Sequence, residues 1–150
     1  VLLACALKIG AVLADASDED AGNLYRFGER IGLAFQLQDD FLDVYGDTKV
    51  FGKAIGGDIV SNKKTYMLIN AFLRADAAQK AELTRWIEAV EFDEREKVAA
   101  VTRLYNEIGI DRLAEEKIGA YFNEGLEFLD AVSVGAERKQ ALVELMKRKY

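Results

Sequence analysis

Three aspartates in one short stretch carry the chemistry most open to reading. Residues 31–46 run I-G-L-A-F-Q-L-Q-D-D-F-L-D-V-Y-G, with Asp39, Asp40 and Asp43 near the end. Steps of three and four residues stack Gln36, Asp39, Asp40 and Asp43 along one face of a helix. Ile31, Phe35, Leu37, Phe41, Leu42 and Val44 spread around the rest of it, which predicts a largely buried helix with one polar stripe. The segment contains no Lys or Arg to offset the three carboxylates. Like charges one turn apart cost roughly 0.2–0.5 kcal/mol per pair on an exposed helix, and Asp is a mediocre residue in a helix interior. A divalent cation removes the conflict. Mg²⁺ suits it, because this ion keeps several waters and takes one or two carboxylates together with phosphate oxygens. A merely solvated acidic face fits poorly with apolar surroundings that lack compensating cations. A calcium loop fits no better: neither Asp15 to Arg26 nor the stretch after Asp43 has alternating oxygen ligands, a central Gly and a terminal Glu.

The segment that follows supplies the opposite charge. Lys49, Lys53, Lys63 and Lys64 come soon after the aspartates, and Lys53 lies in a stretch holding Gly52, Gly56 and Gly57. Lysines serve phosphate as mobile point charges. Carboxylates with a metal on one side and lysines on the other make a site for a diphosphate. Lys49 and Lys64 read equally well as surface lysines.

Helices must position these groups. The 150-residue chain is 51% apolar and 31% charged, lacks proline, and is rich in good helix formers, so an all-α fold with one sizeable core is expected. Residues 1–15 read as a helix already under way at Val1, which predicts that the chain is a piece of a longer protein. Ser17 has the chemistry of an N-cap, and Asp18, Glu19 and Asp20 suit the positive end of the next helix dipole. That helix is expected from Asp18 to Tyr45, with Gly46 as its stop. Lys49 to Asn62 reads as a loop, and helices follow over about 63–74, 77–89, 93–108, 111–131 and 136–149, broken at Gly109 and Gly135. Helical spacing assigns Leu83, Trp86, Ile87 and Val90, then Val98, Val101, Leu104, Tyr105 and Ile108, then Tyr121, Phe122, Leu126 and Leu129, to core faces.

The composition also excludes several classes. A net charge of −6 and the lack of a basic stripe argue against nucleic acid. No run approaches the ~20 apolar residues of a membrane span. Cys5 is the only cysteine and there is no histidine, so neither an internal disulfide nor a thiolate–imidazole zinc site can form. A cytoplasmic location is the expectation.

Residues 32–43, G-L-A-F-Q-L-Q-D-D-F-L-D, resemble the second aspartate-rich motif of the trans-isoprenyl diphosphate synthases, the polyprenyl synthetase family. Gly52-Lys53, Gly57-Asp58 and Lys63-Lys64-Thr65-Tyr66 follow at that family's spacing. The similarity is clear from about Val1 to Asn70 and weakens to general helical character beyond. It implies the all-α isoprenoid synthase helical bundle, of which these residues are a C-terminal portion of a single domain. It further implies a Mg²⁺-dependent condensation of an allylic diphosphate with isopentenyl diphosphate, making short-chain trans products such as farnesyl or geranylgeranyl diphosphate, in a homodimer. On this mapping Asp39, Asp40 and Asp43 serve the metal, Asp39 most directly. Gln36 faces substrate, Phe35 lies against the hydrocarbon, and Lys53 and Lys63 hold the allylic diphosphate. Asp39 and Lys53 are the residues closest to the chemistry.

Two departures stand out. Met67 replaces a proline that many relatives carry after the Lys-Thr-Tyr element. No second D-D-x-x-D occurs, and the resemblance places that motif and the isopentenyl diphosphate site upstream, so the 150 residues alone are expected to be inactive. A non-catalytic regulatory subunit would keep the fold, but the intact Asp39, Asp40, Asp43 and Lys53 speak against it. A terpene cyclase of the same fold would lack the Gly-Lys and Lys-Thr-Tyr elements.

Overall fold

A computed structural model describes residues 1–46 and 55–147. Among the described residues there are eight helices and no strand, as composition predicts: α1 Leu2–Leu13, α2 Asp18–Tyr45, α3 Gly57–Val60, α4 Tyr66–Arg74, α5 Ala77–Glu88, α6 Glu94–Ile108, α7 Ile110–Asp130 and α8 Ala136–Lys147. The chain divides into two compact units, Val1–Gln36 with Lys117–Tyr150, and Leu37–Glu116.

The first unit packs on Phe27, Ile31, Leu129 and Met146, with Leu7, Leu24, Phe122 and Leu142 around them. Gly28 lets α1 approach α2 closely. A Cβ there would lie 2.7 Å from the Ala4 Cα, a backbone atom that cannot swing away. Ser17 caps α2 as its chemistry suggests, its hydroxyl accepting from the Asp20 N–H at 3.1 Å. Asp20 is buried and reaches across to the α7–α8 connection. Its carboxylate accepts from the Ser133 N–H at 2.8 Å and also from the Ser133 hydroxyl. The Ser133 hydroxyl, helped by the backbone N–H, holds the Asp20 pKa below its ordinary 3.8, against the opposing effect of burial. A carboxylate with a depressed folded pKa contributes stability above the unfolded pKa, and that contribution is lost as pH falls through the folded value. Asp20→Asn should therefore melt below the parent near pH 7, and the gap should close below about pH 4. Melting curves across that range decide; a deficit that stays constant down to the acid limit would contradict the assignment.

In the second unit α6 is the element against which α3, α4 and α5 pack. Val101, Leu104 and Tyr105 on α6 meet Met67 and Ala71 from α4, Leu83 from α5 and Ile59 from α3. Capping sets the boundaries. Thr65 accepts from the Leu68 N–H at 3.1 Å, Asp76 and Gln79 form a reciprocal capping box, and Asp93 accepts from the Glu96 N–H at 2.9 Å. Gly109, at φ +79°, closes α6 in the left-handed region.

Three expectations change. The helix expected from residue 63 starts at Tyr66, because the Thr65 side chain caps it and leaves Lys63 and Lys64 in the preceding turn. Met67 is in its first turn and buried, where a proline would have lost no intrahelical bond. The expected loop Lys49 to Asn62 holds the one-turn α3. Val90 falls beyond the end of α5 and is 94% exposed, so the face begun by Leu83 stops short of it.

Candidate functional site

The last turns of α2 present the three aspartates with different surroundings. Asp39 is exposed, Asp40 is buried and Asp43 is half-buried. One Asp43 carboxylate oxygen accepts from the Asp58 N–H at 2.8 Å, while the Asp43 carbonyl accepts from the Gly56 N–H at 2.6 Å. This pair of bonds ties the start of α3 to the end of α2. Gly56 has φ +90° there, and a Cβ would meet the Val98 methyls at 2.5 and 2.7 Å, so both backbone and space call for glycine.

After α3 the chain turns through Asn62, also left-handed at φ +54°, and delivers Lys63 back to the aspartates. The Lys63 ammonium donates to Asp40 Oδ1 at 2.9 Å and to Asp58 Oδ2 at 2.8 Å. These two bonds, to Asp40 first and then Asp58, push the Lys63 pKa above its ordinary range, so the ammonium is permanently charged. Burial raises the Asp58 pKa, and repulsion from Asp43 and Asp40 adds to it, while Lys63 works in the opposite sense. Asp40 and Asp58 thus share the Lys63 ammonium, and Asp43 is tied to Asp58 through its N–H, leaving a local excess of negative charge. Asp58 was not singled out from sequence, since its partners Asp43 and Asp40 lie far back along the chain. The only signal was its place in the Gly57-Asp58 element.

The other candidates fall as follows. Lys64 is exposed and enters no ion pair among the described residues. Lys49, Gly52 and Lys53 lie outside the described residues. Gln36 is exposed on α2, one turn before Asp40, and belongs to the first unit. Phe35 belongs there too, its ring edge-on to Phe122 with centroids 5.8 Å apart.

Among the described residues no three carboxylate or thiol groups are close enough to hold a metal by themselves. Asp39 is exposed, whereas Asp40 and Asp43 already hold protein donors.

The sequence matches the family model described as Polyprenyl synthetase over residues 1–108. The chain belongs to the polyprenyl synthetase family. Among curated members it is 45% identical over 82 residues to a short chain isoprenyl diphosphate synthase of Methanocaldococcus jannaschii, covering 55% of this chain and 25% of that protein. It is 37% identical over 135 residues to a geranylgeranyl diphosphate synthase of Methanosarcina mazei, covering 88% of this chain and 39% of that protein. The chain therefore spans well under half the length of these relatives. Solved family structures match along all or nearly all of the chain. A geranylgeranyl pyrophosphate synthase superposes with TM-score 0.87 at 33% identity, over 100% of this chain and 48% of that one. One from Corynebacterium glutamicum, complexed with isoprenyl diphosphate and magnesium, gives 0.81 at 32% identity over 93% of this chain and 39% of that one. The fold is accordingly the all-α isoprenoid synthase fold that the resemblance implies. No described helix is long and apolar enough to cross a membrane.

Proposed function

We propose that these residues are the C-terminal part of a short-chain trans-prenyl diphosphate synthase, and that the Asp39–Lys63 face binds the diphosphate of its allylic substrate. The observation that carries this reading is the cluster itself. Buried Asp40 and half-buried Asp58 hold the charged Lys63 ammonium at the end of α2, where Asp39, next to Asp40 in the chain, is exposed. The relatives' names agree with it, and so does the isoprenyl diphosphate and magnesium complex of the C. glutamicum relative.

In the proposed reaction the allylic C–O bond breaks and diphosphate leaves with the electron pair. The double bond of isopentenyl diphosphate then forms the new C–C bond, and loss of a proton restores an alkene. Mg²⁺, when bound, would neutralise charge building on the departing diphosphate. Asp39 would hold it, with Asp40 and Asp43 orienting the shell around it. Lys63 would present a fixed positive charge to the phosphate oxygens, and Asp58 would fix the direction of that ammonium. Lys53 would add a second cation from the glycine-rich segment, Gln36 would face the substrate, and Phe35 would border the hydrocarbon. A homodimer forms part of the same reading, supported by the exposed Leu2, Ile9, Val12 and Leu13 of α1.

The test is condensation of an allylic diphosphate with radiolabelled isopentenyl diphosphate by the full-length protein. Product should form with Mg²⁺ and vanish with chelator, returning when Mg²⁺ is restored, whereas the 150 residues alone should give none. Undiminished product in excess chelator would refute the metal-dependent reading, and turnover by the 150 residues would refute the view that they hold only part of the site.

A further inference from the structure

Lys97 lies on α6 and is completely buried, at 0% exposure. Among the described residues it forms no ion pair. A buried ammonium with no carboxylate is costly, so its other contacts must compensate. Its Nζ donates to Asn62 Oδ1 at 2.7 Å, lies 3.4 Å from the Val60 carbonyl, and stands 4.1 Å from the centroid of the Phe92 ring. Burial holds its pKa below the ordinary lysine range.

Asn62 is held at both ends of its amide. The oxygen accepts from Lys97 on α6, and the nitrogen donates to the Ile87 carbonyl on α5 at 3.1 Å. Its left-handed backbone makes the turn that launches Lys63 towards Asp40 and Asp58. Asp58, Asn62, Lys63 and Lys97 line one small cavity behind that turn. Lys97 is thus two hydrogen bonds and one peptide unit removed from the aspartates, yet it anchors the residue that determines where Lys63 starts.

We propose that Lys97 is a positioning residue. Through Asn62 it sets where the Lys63 ammonium is presented, and so governs how tightly the site holds a diphosphate. The inference rests on the diphosphate reading of the Asp39–Lys63 face. Partners that orient metal ligands without touching the metal matter by about 10–100-fold, and an effect of that order is expected here.

The test uses the full-length protein and the variants Lys97→Met, Asn62→Gly and Lys63→Ala. Methionine keeps length and suits the Phe92 ring, and glycine accepts the left-handed backbone while deleting the amide. KM for the allylic diphosphate, kcat and melting temperature are measured for each. Lys97→Met and Asn62→Gly should each raise KM by about tenfold, with a smaller change in kcat. Placed on a Lys63→Ala background, Lys97→Met should raise KM by less than about twofold, because residues acting through one another do not add. A lower melting temperature with unchanged KM would mean a merely structural lysine and overturn the proposal, as would a full KM penalty persisting without Lys63. If Lys97→Met fails to fold, Asn62→Gly alone decides, by the same KM criterion. Lys63→Ala with unchanged KM would instead overturn the diphosphate reading underneath.

Discussion

Asp39→Ala in the full-length protein is expected to lower kcat/KM for condensation by about 10²–10³-fold, in the range seen when a fixed transition-state charge partner is removed. The loss should come without a loss of fold. Asp39 is exposed and enters no ion pair among the described residues, and substitutions at such positions usually stay within about ±0.5 kcal/mol. Removing a carboxylate one turn from Asp43 and next to Asp40 also relieves like-charge repulsion, so the melting temperature should hold or rise slightly. Initial rates across a Mg²⁺ titration, run beside melting curves, separate the two effects. The variant should need more Mg²⁺ for half-maximal rate as well as turning over slowly. Unchanged turnover and unchanged metal dependence would show that Asp39 has no part in the chemistry.

The largest stability effect is expected at Gly56. Gly56→Ala must hold an L-residue at φ +90° and place a Cβ 2.5 and 2.7 Å from the Val98 methyls. The left-handed backbone costs an L-residue about 1–2 kcal/mol, and overpacking costs about 1–3 kcal/mol more. In a domain of this size that total corresponds to a fall in melting temperature on the order of 10 °C. Val98→Ala should recover part of it by clearing the space, leaving the backbone component. Calorimetry of the single and double variants measures both, and a Gly56→Ala protein as stable as the parent would show that the turn can relax around a side chain. The Gly56 N–H also bonds the Asp43 carbonyl, so the same variant should weaken binding at the aspartates.

How much of this was open to reading from sequence depended on whether the cause was local. The bounds of α2 were, because Ser17 and Gly46 sit at its two ends and each acts within a turn or so of its own position. The acidic stripe was legible from its spacing alone. Lys63 was misplaced on a helix because lysine favours helix, whereas the Thr65 hydroxyl, two residues on, decides where that helix starts. The one-turn α3 was missed for a different reason. The four residues G-D-I-V include a glycine and two β-branched side chains and have little helical tendency, and the bond that holds their start comes from Asp43, fourteen residues before Gly57. The mixed charges of Glu94, Arg95, Glu96 and Lys97 read as a solvated face, yet Lys97 is completely buried; like Asp58, it acquires its meaning from a partner that only the tertiary fold brings near. Val90 shows the opposite error, an apolar residue in register with a helical face that has already ended.

Lys63 is held by two carboxylates, yet its side chain remains 44% exposed. Its carboxylate partners are far less open, Asp40 at 8% and Asp58 at 19%, and a buried carboxylate left without its cation is costly, so the ammonium stays where it is held. An ammonium has three N–H donors and these two bonds use two of them, so a third can serve a phosphate oxygen without breaking either pair. A phosphate oxygen arriving at the face therefore finds a donor already placed and already charged, and neither carboxylate has to be given up to use it.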